Sequence, residues 1–556
     1  MIDLIVKNAK IVDGSGDAAF TGDVAVADGK ITDVGKVSGK ARTTIDADGR
    51  LLTPGFVDIH THFDGQVCWD KQVTPSCWHG VTTVVMGNCG VGFAPVHPGK
   101  EDDLVELMES VEDIPGSALH QGIPWTWESF PEYLDAIDTP YAIDIGTQVP
   151  HAAVRHYVMG ERCYDDATDD DLEIMATLVR EALEAGALGF STSRFYGHVD
   201  KQGKLIPGTH ASAKEMRTIT SAFKGLDHGT IEIISDYLAD ADEQAWIEDI
   251  LRSTKRPVTT LMGAGIKHPI WKFAERMNAE GFMMRPQVGA RPASILMSLE
   301  GTINPMRIYP AYKEIASRPL EERVRLLRDP EFRQRVISEA PRHHRNADAR
   351  RFTTDFAHMF PLDDALSYEP GEADSVAALA KSKGCTPREV IMDTMAEGRP
   401  LLFFFGNYEY NLDGQFASVS HPNSVFGLSD GGAHCGVLCD ASVPTYMMSY
   451  VTQKRPRGTL PLEFVVHKMT QDTACVYGLN DRGLIRPGYK ADLNLIDYEH
   501  LQLDPPRMVY DLPAGGKRIV QTAQGYDATI CNGVVTYEHG EHTGEFPGRL
   551  IRGGAR

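Results

Sequence analysis

The chain has 556 residues, 42% of them hydrophobic and 24% charged, with a formal net charge of -22. That length holds a large barrel of roughly 250–400 residues plus a second domain rather than one small core. The acidic balance argues against nucleic-acid and anionic-membrane partners, which favour basic surfaces.

Met1-Ile2-Asp3-Leu4-Ile5-Val6-Lys7 lacks a basic segment followed by a long apolar core, so no signal peptide is expected. No apolar run approaches the length of a membrane span; Leu401-Leu402-Phe403-Phe404-Phe405 is far too short. The nine cysteines follow no framework spacing, which indicates free thiols in a reducing compartment. A cytoplasmic location is the expectation.

The first 50 or so residues read as short strands. Asp3–Val6, Ala9–Val12, Asp23–Val26 and Ile31–Val34 are apolar runs, and Ala27-Asp28-Gly29-Lys30 between the last two is a hairpin signal. Next comes Leu51–Ile59, a buried-strand pattern that ends in His60-Thr61-His62. Alternation along a strand puts His60 and His62 on one side, with Asp58. Two imidazoles side by side at a strand end are half of a metal site.

Val81–Met86 is a β-branched strand that stops at Gly87-Asn88-Cys89-Gly90. Leu172, Met175, Ala176, Val179, Ala182 and Leu183 share one helical face after Thr168, which pairs with Asp171 as a cap, and the helix should stop at Gly186. Residues 188–193, 231–234, 258–262 and 424–428 are further strands. Such strand–helix alternation predicts a TIM-like (β/α)8 barrel. Residues 295–370 break the rhythm and read as a helical, Arg-rich insertion containing Arg342-His343-His344-Arg345 and Arg350-Arg351. The β texture returns near the C-terminus, at 491–497 and 528–537, so both termini should build one small β-sandwich. The expected division is 1–53 and 481–556 for the sandwich and 54–480 for the barrel.

In a parallel barrel the loops after the strand C-termini build the active site. His60, His62, Cys89 and Asp430 all fall at such positions. Two imidazoles with an oxygen or sulfur ligand suit zinc and leave a position for water, whose pKa the metal lowers to about 7. Asp430 then serves as general base and acid, and the chemistry is amide hydrolysis without a covalent enzyme intermediate. No Gly-x-Ser-x-Gly elbow and no P-loop occurs in the chain.

Taken together, these segments resemble the amidohydrolase superfamily. Thr53–His62 matches its first-strand motif, and Gly488-Tyr489-Lys490-Ala491-Asp492-Leu493 resembles the segment where the chain re-enters the sandwich. Gly80–Gly90, Ala187–Ser193 and Ser429-Asp430-Gly431 resemble the D-aminoacylase (N-acyl-D-amino-acid deacylase) branch, in which a cysteine replaces the bridging carboxylated lysine. The resemblance implies a zinc hydrolase acting on amide bonds, with His60, His62 and Asp430 at one metal position and Cys89 at or beside it.

Two departures shape the expectation. Histidines that the branch carries on later strands are absent from Thr230–Asp236 and Val258–Gly263, so one zinc per chain is expected, with Asp236 as a candidate oxygen ligand. No arginine for a substrate carboxylate follows Asp430; Arg194, His198, Arg285, Arg291 and His434 are the candidate substrate contacts. The leading expectation is an amidase releasing the acyl group of an N-acyl amino acid or related amide. The alternatives are a cyclic-amide hydrolase of the hydantoinase or dihydroorotase kind, and a catalytically inactive small-molecule binding protein. A homo-oligomer is compatible with a barrel of this size.

Overall fold

The computed structural model describes residues 1–289, 291, 294–344, 347–363, 365–406 and 408–554, the side chains of 347–349 excepted. Eight parallel strands form a barrel: β1 Phe56–Asp58, β2 Val81–Met86, β3 Asp144–Thr147, β4 Gly189–Arg194, β5 Thr230–Ser235, β6 Val258–Met262, β7 Met284–Val288 and β8 Val425–Phe426. The β3 run continues as Val149–Pro150, which pairs with β4. The ring closes between first and last strands. Thr61 bridges Gly431 in parallel register, and His62 N donates to Gly431 O at 2.7 Å.

Local sequence accounts for these elements. β2 is buried on both faces, which fits its unbroken β-branched run Val81-Thr82-Thr83-Val84-Val85. The helix after Thr168 spans Asp169–Ala185, with both halves of the Thr168–Asp171 capping box formed. It ends at Gly186 in the left-handed conformation, and Leu172, Met175, Val179, Ala182 and Leu183 are buried on its inner face. Asp28 and Gly29 both have positive φ between strands Phe20–Ala27 and Lys30–Gly35, as a two-residue type I′ hairpin requires.

The two termini do join, in a β-sandwich domain. Its main sheet places Leu493–Ile496 beside Leu51–Pro54, which in turn pairs with Ile2–Ile11. Buried ion pairs tie this domain to the barrel. Asp144 on β3 accepts from Arg482 at 2.7 Å and also from Lys490. Gly55 N donates to Asp492 O, so the Gly488–Leu493 segment is a joint between the two bodies.

Between β7 and β8 the chain builds an antiparallel sheet of Ser294–Met297, Leu401–Phe404 and Met359–Pro361, surrounded by helices from Pro310 to Ala396. A separate hydrophobic core that includes Tyr312, Val336, Met359 and Phe403 holds it together. Several of its arginines are answered by carboxylates, Arg318 by Glu322, Arg335 by Glu314 and Arg333 by Asp393, and others by backbone carbonyls, as Arg388 is by Ile337 O. Arg345 of the basic run lies outside the described residues. Among the described residues, no helix is long and apolar enough to cross a membrane.

Candidate metal and active site

His60, His62, Cys89 and Asp430 come together at the C-terminal rim of the barrel. Cys89 Sγ lies 3.4 Å from His60 Nε2 and 3.8 Å from His62 Nε2. Asp430 Oδ1 lies 3.5 and 3.8 Å from the same two nitrogens. Around a tetrahedral zinc, with bonds of about 2.0–2.3 Å, neighbouring donors are roughly 3.3–3.6 Å apart. Those four separations lie within a few tenths of an ångström of that edge length, and His60, His62 and Cys89 each offer one donor within 4.8 Å of the other two.

Charge supports the same conclusion. Glu112 and Glu232 are almost wholly buried beside this cluster, with side chains 2% and 0% exposed, and Asp430 is 20% exposed. Among the described residues, no lysine or arginine forms an ion pair with any of the three. Buried carboxylates with no lysine or arginine beside them favour a bound cation. Glu112 Oε1, Asp64 Oδ2 and His62 Nδ1 are moreover buried without a hydrogen-bond partner. The donor set and its surroundings therefore fit a divalent cation.

The supports of the cluster are specific. His60 Nδ1 lies 3.0 Å from Gln287 Oε1 and 2.9 Å from Glu232 Oε1. Two acceptors at Nδ1 keep the proton there and leave Nε2 facing the other donors. Burial opposes a charged ring at His60, but the Glu232 carboxylate overrides it and lifts the pKa to about 9. Burial, reinforced by neighbouring His60, holds His62 well below the usual imidazole range. Asp58 supports the site from beneath, accepting from His60 N at 3.2 Å and from the Ser429 hydroxyl; burial pushes its pKa to about 6.

The loops that present these groups are held in unusual backbone. Cys89 has φ 59°, and its N–H donates to Glu232 Oε2 at 3.1 Å. Leu428, Asp430 and His434 all have positive φ, a conformation costly for non-glycine residues that concentrates at functional sites.

The remaining sequence candidates fall into two groups. His198 and His434 adjoin the cluster. His198 belongs to a donor set with Cys89 and Glu112, and His434 Nε2 lies 3.5 Å from Glu112 Oε2. The three arginines are committed elsewhere. Arg194 binds Glu243 at 2.9 Å. Arg285, at the start of β7 and so toward the opposite end of the barrel, binds Asp472 at 2.6 Å. Arg291 binds Asp440 and Gln521, both at 3.0 Å, against the Tyr368 ring. Asp236 accepts from Tyr196 N.

Sequence reasoning missed Glu232, Glu112 and Gln287. A signal for Glu232 existed: a carboxylate between isoleucines in Thr230-Ile231-Glu232-Ile233-Ile234 is expensive to bury without a purpose. Glu112 ends a helix with five other acidic residues, Glu101–Glu112, and nothing in the sequence separates it from that solvated face.

A parallel barrel with a candidate metal-donor cluster at its C-terminal rim and a sandwich built from both termini defines the class of fold. The family model described as "Amidohydrolase family" matches residues 43–537, and the chain belongs to that family. The D-aminoacylase of Alcaligenes xylosoxydans xylosoxydans is 26% identical over 552 residues, spanning 99% of this chain and 97% of the relative. The N-acyl-D-aspartate deacylase of the same organism is 28% identical over 561 residues, spanning 99% and 95%. The solved N-acyl-D-glutamate deacylase of Bordetella bronchiseptica, complexed with zinc and a phosphonate inhibitor, superimposes with a TM-score of 0.64 at 20% identity, covering 99% of both chains.

Proposed function

We propose that this chain is a zinc-dependent amide hydrolase that releases the acyl group from an N-acyl amino acid or a related amide. The observation that carries the reading is the position of Asp430. It faces both His60 Nε2 and His62 Nε2, yet it alone of the cluster's three carboxylates is open to solvent. His60, His62 and Cys89 would hold the metal, with Asp430 facing its open position. Zinc bound there supplies a Lewis acid for the scissile carbonyl and makes water acidic enough to ionise near neutral pH.

The chain's own groups do the rest. Asp430 takes the proton of the attacking water and returns it to the leaving amine. Glu232 and Gln287 keep His60 in one tautomer, so its Nε2 lone pair stays available. The buried rim excludes bulk water and strengthens each of these interactions. Similarity to two deacylases over nearly the whole chain supports the N-acyl amino acid class.

The test is a metal-quantified activity screen over N-acyl-D-amino acids, N-acyl-L-amino acids and cyclic amides. Acyl release should be removed by chelation and restored by zinc. Asp430→Asn should lower kcat by about 10²–10⁴-fold with the circular dichroism spectrum unchanged. Full activity in metal-free protein would overturn the reading, and ring opening without acyl release would move it to the cyclic-amide class.

A further inference from the structure

We propose an effector site away from the metal cluster: a cavity that takes a free amino acid and is joined by direct contacts to the loop carrying His198. The cavity measures about 200 Å³. One wall is Tyr164, Asp165 and Asp166, and the other comes from the segment Lys204–Ala211 after β4. Pockets for drug-sized ligands run to roughly 300–1,000 Å³, so the occupant here is smaller.

The lining carries both signs of charge. Among the described residues, the Asp165 and Asp166 carboxylates and the Lys204 ammonium form no ion pair. Lys204 Nζ lies instead 3.2 Å from the centre of the Tyr164 ring. Arg155 also lines the cavity, but it is committed to the Glu215 carboxylate and the Asp165 carbonyl. Lys204 is thus the cation left for a ligand. A simple anion would be repelled by the two aspartates, and a simple cation by Lys204. A small molecule bearing both an ammonium and a carboxylate meets partners for each. An α-amino acid is such a molecule. Its source rests on the hydrolase reading, because acyl release from an N-acyl amino acid leaves this product.

Two sets of contacts join the cavity to the cluster. Lys204, Leu205 and Ile206 form one arm of a hairpin whose other arm begins at His198. Val199 bridges Leu205, and Ile206 N donates to His198 O at 3.2 Å. The second set starts at Arg155, which binds Glu215. Glu215 Oε1 lies 3.0 Å from His151 Nε2, and His151 Nδ1 lies 2.8 Å from Thr192 Oγ1. Thr192 stands on β4 between two serines that hold the site. Ser191 Oγ accepts from Gly90 N at 3.0 Å, and Ser193 Oγ lies 2.8 Å from His198 Nδ1. An occupant of the cavity therefore presses on elements that position His198 and the Cys89–Gly90 loop, without touching a metal donor.

The experiment uses the full, zinc-loaded chain. D-alanine and L-alanine are titrated in, and binding is read by ligand-observed NMR. Lys204→Met and Asp166→Asn should each weaken alanine binding by about tenfold or more, since each removes a charged hydrogen-bond partner. Both residues are exposed, so fold and basal acyl release should be unchanged. Acetate and ethylamine, which carry one charge each, should show no binding that these variants remove. In unmodified protein, saturating alanine should change kcat by about twofold or more, an effect absent from both variants. Competition at the metal cluster would raise KM instead. No alanine binding, or binding that survives in both variants, overturns the cavity site. Acetate binding lost in Lys204→Met just as alanine binding is would make it a plain anion site and overturn the ligand class. Binding with kcat unchanged overturns the effector role. Each of these results leaves the hydrolase reading standing. Alanine bound in the cavity of a chain that releases no acyl group overturns the hydrolase reading and upholds the site.

Discussion

Glu232 Oε1 lies 2.9 Å from His60 Nδ1, and both side chains are wholly buried. Glu232 thus acts on the cluster through His60, holding the ring and raising its basicity. Glu232→Gln keeps the shape and removes the charge, so zinc should bind about 10–100-fold more weakly. Competition against a chromophoric chelator measures this directly. An unchanged affinity would show that Gln287 alone orients the ring.

Gly90 is the residue that lets the Cys89 loop close. Its φ is +70°, and a Cβ there would lie 3.0 Å from both Ser193 N and Thr192 Cα. Gly90→Ala should cost more than about 1 kcal/mol of stability and push Cys89 away from the histidines. Thermal unfolding and zinc content, measured on the same preparation, should both fall.

Arg285 is bound to Asp472 and to the Ser424 carbonyl, and both members of the ion pair are largely buried. Asp472 keeps a second partner in Lys468, 2.6 Å away, so Arg285→Ala loses charged hydrogen bonds without stranding the carboxylate and should destabilise the fold by about 1.5–3 kcal/mol. KM for the substrate should stay within about twofold, because a change of that size is under 0.5 kcal/mol. A large KM effect with unchanged stability would place Arg285 at the substrate instead.

His79 gives a pH signature away from the cluster. It is buried, with Nδ1 2.8 Å from Thr445 Oγ1 and Nε2 2.9 Å from the Gln521 carbonyl. Burial, only partly offset by the Gln521 bond, pulls its pKa down to about 3. The unfolded chain therefore binds a proton at pH values where the native state does not. The stability contributed by neutral His79 is complete above about pH 6.5 and is lost as pH falls toward 3. In urea titrations, His79→Gln should show a shallower decline of stability between pH 6.5 and 4 than the unmodified chain.

Much of this site is legible in the sequence because strand alternation fixes where side chains point. His60 and His62 share a face for that reason, and Cys89 and Asp430 stand out by following strands and lying among glycines. Glu232 obeys the same alternation, but it reads as core because its neighbours are isoleucines. Glu112 could not be placed and His198 reads only as a substrate contact, since loop geometry depends on tertiary contacts such as Asp113 to Gly436 and Thr302. The arginines failed for another reason. A guanidinium near a strand reads alike whether it awaits a substrate or already pairs with Glu243, Asp472 or Asp440, and only the fold supplies the partner.

The closure between β1 and β8 has a mechanical consequence. Among the described residues, few bonds join the two strand ends there: the backbone contacts Thr61–Gly431 and His62 N to Gly431 O, and the side-chain bond from Ser429 Oγ to the Asp58 carboxylate, which spans 371 positions of sequence. His60 and His62 lie on one side of that seam and Asp430 on the other. An ion held by the two histidines and faced by Asp430 would act as a rivet across the two margins of the barrel, fastening segments that the chain itself brings together only at the entropic expense of a very long loop. Loading the site would then reinforce a ring that backbone contacts already close, and resistance of the seam to proteolysis would gauge occupancy.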